Sequence, residues 1–307
     1  MFNSHSRVKG NTQAKAKGLF ALSLIVPEIL LVLAWSSGFV GVRYSADYAP
    51  VLTVIFWRCA VVVVLLLPWG AREILRIQPA VLFTQAGIGL LAMFGYLACV
   101  AKGIEYGVPA GLAALMADLL PLGTALLSSL FLGQRLVAKT WCGLMLGVAG
   151  VLIVTSGALS WGKAPLWTYG LPLLGMISLA LATLLQKTLK AASSVSLPGT
   201  LWLQCVVSLP FFGGLSAIKG ELLPVISTGF AISVAWTALF STLAGYGLYW
   251  FCLKRTSAVR VASVLYLSPA VTLLWSKAAF NEPLSWTMLT GALLSGYGLW
   301  LVVKAEG

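Results

Sequence analysis

The stretch 116-MADLLPLGTALLSSLFLGQ-134 is answered, 148 positions later, by 264-VLYLSPAVTLLWSKAAFNE-282. Pro121-x-x-Thr124-x-Leu126-x-Ser128 stands over Pro269-x-x-Thr272-x-Leu274-x-Ser276 without a gap, and the register persists to Gly143 and Gly291. Each copy is an apolar segment broken by one proline. It closes in a short polar turn and is followed at once by a second apolar segment.

Composition says what such segments are for. Of 307 residues, 60% are hydrophobic and only 9% are charged, against roughly 25% charged in a soluble domain. A water-soluble fold of this size could not hide so much apolar surface. The chain therefore reads as an all-α integral membrane protein with the lipid bilayer as its solvent. The net charge of +12 does not point to nucleic acid, because the basic residues stand singly or in pairs between apolar runs, with no basic helix and no interleaved aromatic face. Cys59, Cys99, Cys142, Cys205 and Cys252 lie inside apolar runs at no metal-ligand spacing and read as small buried hydrophobes. His5, in the polar N-terminal stretch, is the only histidine. No metal and no cofactor is expected. Residues 18–38 have a basic leader and an apolar run, but Glu28 interrupts it and more spans follow, so an uncleaved first span is expected.

About 20 mostly apolar residues cross a bilayer as a helix. Ten segments qualify: Leu19–Val42, Val51–Trp69, Ala80–Val100, Val108–Leu132, Thr140–Ser156, Leu166–Leu185, Leu197–Ile218, Leu223–Cys252, Ala258–Phe280 and Leu284–Val303. With the N-terminus in the cytoplasm, the cytoplasmic loops and tails hold fourteen Lys and Arg residues and the outer loops hold five, Arg43, Lys102, Lys163, Lys219 and Lys277. The positive-inside rule then places both termini inside. Ten spans and a 148-residue offset make two halves of five, and an odd number of crossings turns the second half over: residues 1–17 form a basic cytoplasmic tail, 18–156 the first repeat and 157–307 the second. Inverted repeats are a signature of secondary transporters. Gly95-Tyr96 and Gly245-Tyr246 match at an offset of 150. Duplication of a mere packing unit is the alternative.

Leu33-Ala-Trp-Ser-Ser-Gly-Phe-Val-Gly-Val-Arg43, Arg58 inside the second span, and the two Pro-x-x-Thr hairpins with their Gly133-Gln-Arg135 and Asn281-Glu-Pro283 turns resemble the EamA family of the drug/metabolite transporter superfamily. The resemblance covers nearly the whole chain. It implies a ten-helix, five-plus-five inverted fold with a central cavity, and export of amino acids or related small metabolites across the plasma (inner) membrane. Asp118 departs from the family pattern, where an apolar or small residue is commoner.

Three ionisable residues fall within the apolar runs: Glu28, Arg58 and Asp118. At 1.5 Å per residue each lies roughly 12–15 Å from its end of the span, near the midplane, where charges face a cavity or one another. The functional reading gives Arg58 a substrate carboxylate, and Asp118 or Glu28 an amine or a coupling proton. The alternative is a permanent ion pair that orders the bundle, and for Glu28 an access-path role. The repeat sets Asp118 opposite Tyr266 and pairs Tyr96 with Tyr246. With Trp35, Trp57, Trp202 and Trp250 these could wall a cavity, although aromatics abound in any membrane bundle. Trp69, Trp141, Trp161, Trp167, Trp286 and Trp300 sit near span ends as interface anchors. Pro121 and Pro269, with Thr124 and Thr272 one turn on, are candidate hinges or fixed bends. Gly143-x-x-x-Gly147 and Gly291-x-x-x-Ser295 are small-residue packing faces, inside the bundle or in a homo-oligomer.

These readings favour a secondary or facilitative transporter of a zwitterionic small molecule. A drug or nucleotide-sugar carrier of the same superfamily is the rival, and sugar phosphates would call for more than one midplane cation. A membrane-embedded enzyme would need a nucleophile–base pair or metal cluster that the sequence lacks. There is no Walker-type loop.

Overall fold

A computed structural model of the chain describes residues 4–133, 136–159, 164–190, 194–282 and 284–306, with side chains from Ile25 onward apart from 151, 154–159, 299, 303 and 306. Gln134, Arg135, Trp161 and Pro283, and the side chains of the first 24 residues, lie outside this description. Among the described residues all regular structure is helical. The helices are α1 Ser4–Ala46, α2 Val51–Ile74, α3 Pro79–Gly89, α4 Tyr96–Glu105, α5 Ala110–Ala117, α6 Leu120–Leu132, α7 Ala138–Leu159, α8 Gly170–Thr188, α9 Leu197–Ile218, α10 Thr228–Trp236, α11 Gly247–Arg255, α12 Ala258–Val264, α13 Ser268–Phe280 and α14 Trp286–Glu306.

Eight stretches among the described residues are long and apolar enough to cross a membrane, several of them made of two helices in line. The apolar helices α7 and α14 pack against each other. The helices' surfaces explain the solvent: Val64 of α2, Phe83 of α3, Leu130 of α6 and Leu293 of α14 are each at least 70% exposed, and such side chains are stable against lipid, not water. The chain is a multi-pass membrane protein.

Local sequence sets the ends. Proline stands in the first turn of α3, α6, α9 and α13, where the missing N–H costs nothing. Ser196, Ser227 and Ser257 accept from the third residue on and cap α9, α10 and α12. α6 and α13 both stop on a left-handed residue, Gly133 at φ 62° and Asn281 at φ 54°, the two residue types that tolerate it best. These positions are also 148 apart.

Four stretches are interrupted within the bundle. Between α3 and α4, and between α10 and α11, the chain widens to π-helix over Leu90–Gly95 and Thr237–Tyr246. Between α5 and α6, Asp118 and Leu119 leave helical geometry, with ψ of 13° and 5°. Between α12 and α13 a 3-10 turn, Leu265–Leu267, intervenes. The last two breaks precede Pro121 and Pro269 by two to four residues.

α7 crosses α14 with glycines at the contact. A Cβ on Gly143 would stand 2.6 Å from the Gly298 carbonyl, and one on Gly150 would stand 2.5 Å from the Gly291 carbonyl. Ser295 Oγ donates to the Gly147 carbonyl at 3.3 Å. The packing faces expected at Gly143/Gly147 and Gly291/Ser295 thus meet each other within one chain. α1 runs through the middle, against the second π segment and α13, while α2 lies along α9.

Candidate functional site

At the centre lies a cavity of about 30 Å³, lined by Trp35, Gly38, Phe39 and Val42 of α1, Arg58 of α2, Tyr96, Leu97, Val100 and Ala101 of α4, and Ser241 and Tyr246 of the second π segment. That volume holds a water or two, too little for a cargo molecule. Trp35 is its hub, with ring centroids 5.7 Å from Tyr96, 5.2 Å from Tyr246 and 5.3 Å from Tyr249. The symmetric tyrosines expected from the Gly-Tyr repeat therefore meet on one indole. Tyr246 donates its hydroxyl to the Ala92 carbonyl at 2.7 Å. That carbonyl belongs to the other π segment, where widened turns free backbone acceptors.

Arg58 is fully buried. Its Nη1 donates to Ser241 Oγ at 3.4 Å, a long contact, while Nε and Nη2 have no partner. Among the described residues no carboxylate lies within ion-pair distance of it. The permanent pair with Glu28 or Asp118 is not formed. Gly38 makes the Ser241 contact possible, because a Cβ there would come within 2.7 Å of that hydroxyl.

Asp118 sits in the α5–α6 break, 1% exposed, with Oδ2 unpartnered. Its neighbours are the Trp35 indole and the Ser268 hydroxyl, neither in an ordinary hydrogen bond. It does not line the cavity, although its neighbour Trp35 does. Tyr266, its repeat counterpart, occupies the 3-10 turn of the other break, its unpartnered hydroxyl against Gly147. Ser36 donates to the Ser268 carbonyl at 3.2 Å, tying α1 to this break. Thr124 donates back to the Pro121 carbonyl at 3.0 Å, while buried Thr272 has no partner. Pro121 and Pro269 each open the helix after the break.

Two of the expected site residues lie elsewhere. Glu28 pairs with Arg260, at 3.1 Å from its Nε, and Arg260 is 40% exposed. Seven residues separate Glu28 from Trp35, about 10 Å or two turns along α1, so Glu28 belongs near one end of the bundle and not at the midplane. Counting from the start of the apolar run misplaced it. Trp57 donates to the Leu222 carbonyl at 3.1 Å, packs with Val54, Phe230 and Val234, and does not line the cavity. Trp202 is bonded to the Val63 carbonyl and Trp250 to Gln204; neither lines the cavity. Of the expected anchors, Trp69, Trp167, Trp286 and Trp300 are at least half exposed.

A vestibule of about 420 Å³ opens between the ends of α1, α4, α5 and α13, lined by Arg43, Asp47, Glu105 and Glu282 above an apolar wall that includes Ile104, Leu112 and Leu273. Arg43 bonds Asp47 at 2.7 Å and reaches Glu282 at 3.7 Å, closing α1 onto the α13–α14 turn; Lys102 bonds Glu105. Burial raises the Glu282 carboxyl above its ordinary value, outweighing Arg43 and Ser276, which pull it down. Val42 lines the chamber and Arg43 the vestibule, so an apolar layer less than one turn thick divides them.

Ser241, Gly38, Tyr249 and Ser268 are the residues missed by sequence reasoning. Gly38 and Ser241 carry no polar periodicity. The signal that could have found Ser241 is its place four residues before Gly245-Tyr246, inside the repeat.

The EamA-like transporter family model matches the chain twice, over residues 20–156 and 166–304. A probable amino-acid metabolite efflux pump of Escherichia coli (strain K12) is 26% identical over 294 residues, covering 91% of this chain and 94% of the relative. Its namesake in Salmonella typhimurium is 27% identical over 291 residues, 90% and 93% of the two chains. YedA, an uncharacterised inner membrane transporter of Escherichia coli (strain K12), is 26% identical over 258 residues, 83% and 82% of the two chains. A solved crystal structure superimposes with a TM-score of 0.71 at 18% identity, covering 92% of this chain and 98% of that one.

Proposed function

This chain belongs to the EamA-like transporter family, and we propose that it exports amino acids or related small carboxylate-bearing metabolites by alternating access. Ten helices form two inverted five-helix repeats, residues 18–156 and 157–307 after a cytoplasmic tail of 1–17, in the plasma membrane with both termini inside. The contact geometry supports the inversion. Gly143 meets Gly298 and Gly150 meets Gly291, and adding 148 to the first pair's lower member, while subtracting it from the upper, yields the second. A two-fold axis in the membrane plane between α7 and α14 relates them.

One observation carries the substrate site. Arg58 is fully buried with two nitrogens, Nε and Nη2, unpartnered, and an unpaired buried charge is costly enough that it persists for a purpose. A planar carboxylate fits such a fork in bidentate fashion. Trp35, Tyr96 and Tyr246 wall the site. Asp118 and Tyr266, at the two breaks, take the coupling and hinge role with Pro121, Pro269, Thr124 and Thr272: rocking one repeat on the other would open the chamber to the vestibule on one side and to the cytoplasm on the other. Asp118 is where a proton would couple. The efflux relatives support export as the direction.

Purified protein in proteoliposomes, loaded with a panel of amino acids, tests this reading. Efflux of at least one above protein-free vesicles is expected. If none moves, and none shifts the melting temperature, the substrate assignment fails.

A further inference from the structure

We infer that the chamber recognises a carboxylate and an apolar tail and leaves an amino group unread, so that aryl- and alkyl-monocarboxylates are cargo on equal terms with the amino acids carrying the same tails. This rests on the transport reading of the same chamber and names what selects its substrate.

The lining carries a single charge, Arg58. Every other lining residue is aromatic, aliphatic or glycine, except Ser241. An ammonium entering such a space loses water and needs an acceptor in return. The acids are engaged elsewhere. Glu28 is held by Arg260, and Glu73 accepts from the backbone and hydroxyl of Ser196. Asp47, Glu105 and Glu282 line the vestibule. Asp118, beside the Trp35 indole and with Oδ2 unpartnered, is not among the chamber's lining residues.

The neutral acceptors are committed as well. Ser241 Oγ faces Arg58 Nη1. The Ala92 carbonyl takes the Tyr246 hydroxyl, and the Leu91 carbonyl takes the Ser178 hydroxyl at 2.7 Å. The Tyr96 hydroxyl is turned to the Trp35 indole. What is left open is the N–H groups on Arg58 Nε and Nη2 and the Trp35 indole N–H, with no charged acceptor. A site can only reject an analogue for lacking a group when its own polar atoms are left unpaired by the loss, and nothing here would miss an amine. The donors of Arg58 would miss a carboxylate. The apolar remainder, Phe39, Val42, Leu97, Val100 and Ala101, rewards a tail in proportion to its area.

The test is isothermal titration and ligand-induced thermal shift on the purified full chain in nanodiscs. The ligands are L-phenylalanine, 3-phenylpropionate, 2-phenylethylamine and acetate, and the proteins are wild type, Arg58→Gln, Arg58→Lys and Asp118→Asn. Phenylalanine and phenylpropionate should bind within a few-fold of each other. Phenylethylamine, which leaves Arg58 unpaired, and acetate, which lacks the tail, should each bind about tenfold or more weakly. Arg58→Gln should lose both carboxylates by about tenfold or more and Arg58→Lys by less, while Asp118→Asn should leave the ratio of the two unchanged. Equal binding of phenylethylamine and phenylpropionate would overturn the inference. So would an Asp118→Asn variant that loses phenylalanine and keeps phenylpropionate, or no binding of either carboxylate to wild type. The comparison of ligands on wild type stands even where a variant fails to fold. In the first two of these cases export through the chamber survives; it fails separately, on the liposome panel.

Discussion

Arg58 carries a fully buried charge, and its energetics run against stability. A guanidinium with two unpaired donors in an apolar interior destabilises the fold. Arg58→Met, which keeps the length and removes the charge, should therefore raise the unfolding free energy by about 1–3 kcal/mol, read by thermal or denaturant melting in detergent. Binding of carboxylates should vanish in the same variant. A variant that melts earlier would mean that Arg58 is a structural partner. The sequence marks Arg58 well, because an intramembrane charge is conspicuous in any hydropathy reading. It marks Glu28 equally, and there the same signal misleads: the Arg260 that neutralises it is 232 residues away. Asp118 differs again. Its position at a helix break was legible from Pro121, but its absence from the cavity that Arg58 lines is a matter of side-chain placement that no spacing encodes.

Among the helices, most apolar runs located their elements to within a few residues, because length and hydropathy decide them in a bilayer, whereas α1 starts at Ser4, well before the expected Leu19. The α9 stretch, Leu197–Ile218, has the boundaries that its sequence predicts. The prolines signalled two of the four interruptions. The two π segments had no such flag; their only trace is the Gly-Tyr repeat, since a widened turn needs no residue that an ordinary helix forbids. Tight packing of α7 on α14 was legible as small residues at four-residue spacing. Gly143→Leu should force the helices apart, because its first side-chain carbon already meets the Gly298 backbone at 2.6 Å. A loss of about 1–3 kcal/mol or more is expected, measured as a lowered melting temperature and reduced folded yield. Gly214→Ala, with open space at its Cβ, is the control that should change neither.

The whole molecule sets a small chamber beneath a larger vestibule lined by charged side chains. Asp47→Cys, at the vestibule, should react with a membrane-impermeant maleimide added outside intact cells. Arg255→Cys, at the other end, should react only after permeabilisation; the reverse pattern would invert the topology. The mouth itself should respond to acid. Burial keeps the proton on Glu282 to a higher pH than the ordinary 4.5, so just above that pH the folded chain holds more protons than the unfolded one. Stability then falls as pH rises through the window, and the penalty is complete above it. Melting curves should show this negative slope in wild type and a flatter one in Glu282→Gln. An unchanged slope in the variant would assign the titration to another group.

Counterflow of radiolabelled L-phenylalanine into proteoliposomes, compared between wild type and Arg58→Gln at matched protein content, tests the central claim most directly. Wild-type vesicles preloaded with unlabelled phenylalanine should accumulate label transiently, and Arg58→Gln should reduce the initial rate by about tenfold or more. Exchange by Arg58→Gln at the wild-type rate would contradict the assignment of the chamber as the place where cargo is held.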